Sequence, residues 1–122
     1  MLMKPTTIIL LLVVVMAGGC YYDVEEELYP SLDCATEGVT YSQTVQPLLA
    51  EHCLSCHSAA ANFGGVTLEG YERVLASVNS GELLGVLRHT PGFSPMPNNA
   101  PQLPECEIEK IATWIDQGAP QN

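Results

Sequence analysis

Basic residues are scarce in this sequence. It contains 4 Lys and Arg against 14 Asp and Glu, which gives a formal net charge of −10. Proteins that bind nucleic acids carry basic patches that neutralise phosphates, so this charge balance argues against a nucleic-acid partner. It predicts instead a protein partner that docks through a basic patch, with an association rate that falls as the salt concentration rises.

The sequence also lacks an apolar run long enough to span a membrane. Its N-terminal run, from Ile8 to Met16, is shorter than the ~20 residues that a transmembrane helix needs. Residues 1–19 carry one charge, Lys4, and end in small residues before Cys20, which is typical of a secretory signal peptide. We therefore expect an exported protein.

The signal peptide is followed by a cysteine in the stretch AGGC, Ala17 to Cys20. This stretch resembles the lipobox of bacterial lipoproteins, except that Ala17 stands where leucine is usual. The resemblance implies that Cys20 is lipidated and anchors the mature chain on the periplasmic or cell-surface side of a bacterial membrane. Ordinary signal cleavage nearby is the alternative. Residues 20–38 are acidic and aperiodic, which predicts a solvated tether.

Residues 39–122 have the length of one small domain. A domain of this size buries only about 60% of the surface that its unfolded chain exposes, so a cofactor or covalent link usually helps to stabilise it. Apolar residues recur at helical spacing and no regular alternation of strands and helices is visible, which predicts an all-α fold. The predicted helices are 44–53, 67–79, 81–89 and 105–118.

The stretch EHCLSCHS, residues 51–58, places Cys53 and Cys56 three positions apart, with His57 directly after them. On a helix the two thiols share one face, where they can join the two vinyl groups along one porphyrin edge while the imidazole reaches the iron. This C-x-x-C-H order is the signature of covalent haem attachment.

A zinc site and a thiol–disulfide switch are the alternatives for this motif. Structural zinc takes four ligands, usually in two spaced pairs, and the sequence lacks a second C-x-x-C or a His pair. A thioredoxin-like switch places its motif after a strand in a βαβ unit, which this sequence does not predict.

A haem iron held by one histidine needs a sixth ligand if the protein is to transfer electrons rather than bind small molecules. Met96 is the favoured candidate, because Pro95 and Pro97 fix the backbone on both sides of it. The alternative for Met96 is a core-filling role. His89 is the rival ligand, and is otherwise a surface or hydrogen-bonded loop residue.

These motifs make the sequence similar to class I c-type cytochromes, and more narrowly to the small bacterial domains of the planctomycete-type cytochrome c kind. The resemblance covers about residues 41–120, with YSQTVQPLLAEHCLSCHS, GGVTLEGYERV and HTPGFSPMPNNAPQLPECEIEKIATWIDQGAP in order. It implies three to four short helices wrapped around one haem c, bound by thioethers from Cys53 and Cys56. His57 is then the proximal iron ligand and Met96 the distal one. One departure is that the first helix lacks the glycine that lets the terminal helices cross closely in typical members.

The resemblance implies a monomeric one-electron carrier that serves a redox partner outside the cytoplasmic membrane. With both axial positions filled, the iron changes oxidation state without binding a substrate. The sequence offers no convergent nucleophile, general base and oxyanion donors, so we do not expect an enzyme. The alternative function is a haem enzyme or gas sensor with an open distal position, which requires that Met96 does not bind the iron.

The sequence has five cysteines. If Cys20 takes lipid and the C-x-x-C pair takes haem, Cys34 and Cys106 remain and would form a disulfide, as an oxidising compartment permits. Two free thiols are the alternative, because sequence spacing does not fix their geometry. We expect His52 to face solvent without a role, and Arg88 either to pair with a haem propionate or, as is commoner, to be exposed.

Overall fold

A computed structural model describes residues 34–122. The predicted signal peptide, the predicted lipid attachment at Cys20 and most of the predicted tether lie outside the described residues.

This part of the chain is all-α, as predicted, and no β-strand occurs between residues 34 and 122. A π-helical turn, Tyr41–Val45, leads into five α-helical segments, and a 3-10 turn, Phe63–Gly65, follows the second of them. The α-helical segments are α1 (Gln46–His52), α2 (Leu54–His57), α3 (Tyr71–Asn79), α4 (Glu82–Leu87) and α5 (Glu105–Asp116). None of these helices is long and apolar enough to cross a membrane.

The helix boundaries differ from the predicted ones for backbone reasons. More segments form than the three to four expected, because the first helix bends at Cys53, where φ is −119°, and α2 continues as a separate turn. α3 begins at Tyr71 rather than at residue 67, because Gly70 has a φ of +95°. Pro104 is extended with ψ 136°, so α5 begins at Glu105 as predicted, but it ends at Asp116 rather than at residue 118.

The break between α3 and α4 lies where it was predicted. Ser80 is the C-cap of α3, and Gly81, with a φ of +76°, precedes α4. A residue with a side chain rarely adopts this left-handed conformation, so glycine is the natural residue for the tight reversal. The reversal lets α4 fold back against α3.

The core joins the two ends of the described chain. Ile108, Ile111 and Ala112 of α5 are buried as their spacing predicts, and Trp114 is fully buried beside them. The Tyr41 ring lies 5.6 Å from the Trp114 ring and 5.2 Å from the Tyr71 ring, with the second pair edge-on. Aromatic pairs of this kind contribute about 0.5–1.5 kcal/mol each beyond their burial. The terminal helical segments therefore meet through aromatic rings, without a helix glycine.

The C-terminal tail provides hydrogen-bond acceptors for polar groups of these three aromatic residues. The Trp114 indole N–H donates to the Pro120 carbonyl at 2.9 Å, and the Tyr71 hydroxyl donates to the Ala119 carbonyl at 2.8 Å. The backbone N–H of Tyr41 donates to the Asn122 side-chain oxygen at 2.8 Å. Buried donors that are paired in this way avoid the cost of an unmade hydrogen bond, so the tail belongs to the folded domain.

Cys34 and Cys106 lie at disulfide-bonding distance, with Cα atoms 5.4 Å apart. This separation is in the usual range for a disulfide. A bond here would tie the segment that precedes the π-helical turn to the first turn of α5, which is the pairing that the cysteine count predicts.

Candidate haem site

A partly open cavity of about 600 Å³ lies on the side of the core formed by α2, α4 and the loop that precedes α5. This volume falls in the range of roughly 300–1,000 Å³ that is typical of small-molecule and cofactor sites. The aliphatic residues that line it are Val66, Leu68, Leu83, Val86, Leu87 and Leu103. Such walls suit the apolar faces of a porphyrin.

The cavity brings together all four residues that the sequence assigned to haem. Cys53, Cys56 and His57 line it from the end of α1 and from α2, and Met96 lines it from the loop before α5. Met96 is far from the C-x-x-C-H motif in the sequence, so the motif alone does not bring the two together. The donor set therefore fits a haem held by two thioethers, one imidazole and one thioether sulfur.

Cys53 and Cys56 have different surroundings. Neither is bonded to another cysteine; Cys53 is partly buried and Cys56 is exposed. Burial, and to a lesser extent the nearby Cys56, raise the pKa of the Cys53 thiol to about 11. Thiol–disulfide oxidoreductases instead lower the pKa of their attacking cysteine, because the thiolate is the nucleophile. The surroundings of Cys53 therefore differ from those of the attacking cysteine in such oxidoreductases.

The backbone orients the His57 imidazole. Nδ1 of His57 lies 3.2 Å from the carbonyl oxygen of Val66. A carbonyl oxygen only accepts hydrogen bonds, so Nδ1 carries the proton, and in the neutral ring Nε2 keeps its lone pair. The backbone N–H of Leu68 also donates to the His57 carbonyl at 2.8 Å. Metal-binding histidines commonly have their second nitrogen engaged in this way, which sets the tautomer and the ring orientation.

Hydrogen bonds also fix the backbone at Met96. Its N–H donates to the Val86 carbonyl in α4 at 3.0 Å, and its carbonyl lies 3.0 Å from Nε2 of His89. Since the carbonyl is an acceptor, Nε2 of His89 is the donor, and this nitrogen is engaged with backbone rather than free to bind a metal. His89, the rival ligand in the sequence, thus contacts the loop that carries Met96. His89 itself has a φ of +51°, where α4 turns into that loop.

The expectation that His52 faces solvent is wrong. Its Nε2 lies 3.0 Å from Oε2 of Glu107 in α5, and both side chains are only 26% exposed. The two atoms are buried and close enough for an ion pair, but neither makes a hydrogen bond within the described residues. His52 also lines the cavity. The signal that could have revealed this pair is the placement of an acidic residue in the first turn of α5, but no sequence spacing connects it to His52.

Arg88 has the surface role that was the commoner expectation. Its guanidinium lies 2.8 Å from Oε1 of Glu109, and both side chains are nearly half exposed. Exposed pairs of this kind contribute little to stability, about 0–1 kcal/mol. The pairing is with a carboxylate of the protein itself.

Within residues 34–122, no group of three or more His, Cys, Asp and Glu side chains is placed to hold a metal ion.

Several features of the site carry no signal in the sequence. The Val66 carbonyl is a backbone group and carries no side-chain signal. Phe63 and Phe93, which line the cavity and are 62% and 37% exposed, belong to no helical stripe that would mark them.

No family model, no curated protein and no solved structure matches this chain.

Proposed function

We propose that this chain is a single-haem c-type cytochrome that carries one electron at a time between redox partners outside the cytoplasmic membrane. The observation that carries the proposal is the convergence of Cys53, Cys56, His57 and Met96 on one largely apolar cavity. The class I cytochrome c fold is part of the proposal, and the all-α architecture agrees with it.

Cys53 and Cys56 are assigned to the thioether bonds. Both residues line the cavity, and neither forms a disulfide. Burial raises the pKa of the Cys53 thiol to about 11, which lowers its thiolate fraction and so slows its exchange with disulfides before a cofactor is attached.

His57 and Met96 are assigned to the two axial positions. The Val66 carbonyl holds the His57 ring in the tautomer that leaves Nε2 for iron. Two hydrogen bonds of the Met96 backbone hold this residue at the cavity. Its N–H donates to the Val86 carbonyl, and its carbonyl accepts from the His89 side chain. A bound haem would supply reversible one-electron iron chemistry, with a potential raised by the methionine sulfur relative to a second nitrogen ligand.

Export and anchoring are proposed from the sequence. Residues 1–19 act as the signal peptide and Cys20 carries the lipid, so the domain is tethered to the outer side of the cytoplasmic membrane or to the cell surface. The acidic chain favours a redox partner with a basic docking patch, and its rate of electron transfer should fall with ionic strength.

The experiment that tests the function is a redox titration of protein produced with c-type haem maturation machinery. The proposal predicts a reversible one-electron transition, a weak red charge-transfer band in the ferric protein, and slow reaction with added cyanide. Immediate cyanide binding together with absence of the red band would favour the enzyme or gas-sensor alternative, in which the distal position is open.

A further inference from the structure

Gly85 in α4 differs from the other described glycines in the reason that only glycine fits its position. The other glycines of residues 34–122 all have a positive φ, which explains them by backbone conformation, whereas Gly85 lies in regular helix. Glycine is the least favourable helical residue after proline, so its presence inside a short helix calls for a packing explanation. A Cβ at position 85 would lie 2.6 Å from the Cδ2 and Cγ atoms of Phe93, closer than real Cβ atoms approach.

The Phe93 ring therefore packs directly against the α4 backbone. Among the described glycines, Gly85 alone would bring a Cβ within 4 Å of a neighbour. The close atoms include Cγ, at the base of the Phe93 ring, so rotation of the ring alone would not relieve the clash. The whole ring would have to move away from α4. Only glycine at position 85 admits Phe93 in this position.

Phe93 belongs to the loop that carries Met96, and hydrogen bonds tie that loop to the same turn of α4. The Thr90 N–H donates to the Gly85 carbonyl at 2.9 Å, and the Phe93 N–H donates to the Thr90 carbonyl at 3.1 Å. The Met96 N–H then donates to the carbonyl of Val86, the residue after Gly85. The ring contact and the backbone contacts converge on Gly85 and Val86, so they fix the loop as one unit.

We propose that Gly85 and Phe93 form a positioning pair, in which the ring packed against the glycine holds the loop so that Met96 faces the cavity. The inference rests on the proposed function, because Met96 matters there as the distal ligand. Neither residue touches the iron; both act through Met96. Phe93 and Met96 line the same cavity, so a shift of the loop that displaces the ring also displaces the methionine sulfur.

The test is a double-mutant cycle of Gly85→Ala and Phe93→Ala, with Phe63→Ala as the matched control. Phe63 is a second exposed phenylalanine that lines the cavity but lies outside the Met96 loop. Each protein is purified with haem attached, and the ferric form is assayed for the red charge-transfer band, for cyanide affinity and for its thermal midpoint.

Gly85→Ala should weaken the red band and raise cyanide affinity roughly tenfold or more, the range that overpacking costs imply. In the Phe93→Ala background the added methyl group has no ring to displace. There Gly85→Ala should leave cyanide affinity unchanged and raise the thermal midpoint, because alanine favours helix over glycine. In the Phe63→Ala background the full effect of Gly85→Ala should remain.

Three results would overturn the inference while leaving the proposed function intact. The first is an unchanged band and cyanide affinity in Gly85→Ala. The second is equal relief of the Gly85→Ala defect by Phe63→Ala and by Phe93→Ala. The third covers the case in which Gly85→Ala does not fold, and it uses the Phe93→Ala single variant, which removes a ring that is already 37% exposed. Cyanide affinity in Phe93→Ala no higher than in the parent would overturn the inference. A parent protein without covalent haem would instead reject the proposed function, and the positioning role with it.

Discussion

The Nδ1 atom of His57 lies 3.2 Å from the carbonyl oxygen of Val66, in the segment that follows the 3-10 turn. This contact joins the residue after the C-x-x-C pair to a backbone group nine positions further along the chain. Because the Val66 carbonyl accepts a hydrogen bond from Nδ1–H, Nε2 keeps the lone pair that a metal could bind. The fold thus orients the His57 ring in the way that the proposed iron ligation needs.

Met96 should set the redox properties of the loaded protein. Met96→Ala should keep haem attached through Cys53 and Cys56 but open one coordination position, lower the potential and permit rapid cyanide binding. Met96→His should keep six-coordinate iron and also lower the potential, because a second imidazole favours ferric iron more than sulfur does. Potentiometry and absorption spectra of the two variants and the parent measure both effects.

His89 provides the control for the Met96 assignment. His89→Ala removes the contact with the Met96 carbonyl but no ligand, so it should retain the red band in weakened form. If the parent lacks the red band, and its potential and slow cyanide binding survive Met96→Ala but are lost in His89→Ala, histidine is the distal ligand and the assignment to Met96 is wrong.

The haem-free chain should lose stability at high pH because of Cys53. Its thiol has a folded-state pKa of about 11, raised from an ordinary value of 9.0 by burial and, less strongly, by Cys56. Between these two pH values the unfolded chain has released the proton that the folded chain still holds, so the free energy of unfolding falls as the pH rises. The loss should reach up to roughly 2 kcal/mol.

Denaturant unfolding of the haem-free parent and of Cys53→Ser, from pH 8 to 11, isolates this effect from the titration of tyrosines. The parent should lose more stability than Cys53→Ser over this range. The loaded protein should lack the difference, because a thioether sulfur carries no proton. Parallel pH profiles for the haem-free parent and Cys53→Ser would contradict the buried-thiol account.

The predicted bond between Cys34 and Cys106 should stabilise the domain. The two residues are separated by 72 positions, and closing a loop of this length restricts the unfolded chain. Cys34→Ser with Cys106→Ser should therefore lower the free energy of unfolding by about 2–4 kcal/mol. Non-reducing mass spectrometry of peptides identifies the bond directly, and alkylation of both residues in the native, unreduced protein would count against it.

The contact between His52 and Glu107 should couple α1 to α5 energetically. His52→Ala and Glu107→Ala should each destabilise the protein, and the double variant should lose less than the sum of the two. A coupling of about 1 kcal/mol is expected, at the upper end for exposed ion pairs, because both interacting atoms are buried. The exposed pair of Arg88 and Glu109 is the matched control and should give a smaller coupling. Strictly additive losses for His52 and Glu107 would show that the contact contributes nothing.

The sequence predicted those parts of the fold that depend on local pattern. The apolar spacing of α5 predicted the burial of Ile108 and Ile111, and the Ser80–Gly81 break was predicted from residues that favour turns. The start of α3 was missed because the left-handed φ of Gly70 overrides the helical pattern on either side of it. The contact of His52 with Glu107 was missed because it depends on how α1 and α5 pack, which no local pattern encodes.

The candidate site divides in the same way. The C-x-x-C-H motif is local, so its residues were identified from spacing alone. The place of Met96 was inferred from its flanking prolines, but the hydrogen bonds that hold it, from Met96 to Val86 and from His89, are tertiary contacts. No sequence pattern marks Gly85, because the need for glycine there comes from the Phe93 ring that packs against it in the folded chain.

Covalent attachment of one haem through Cys53 and Cys56 is the central claim, and the intact mass of protein exported with c-type haem maturation machinery tests it most directly. The parent and a Ser55→Ala control, altered between the two cysteines, should both be red and heavier than the polypeptide by one haem that denaturation does not release. Cys53→Ser and Cys56→Ser should each yield less attached haem, and His57→Ala should yield least, since it removes the proximal nitrogen. A colourless parent with the mass of the polypeptide alone, or haem that denaturing solvent extracts, would contradict the account.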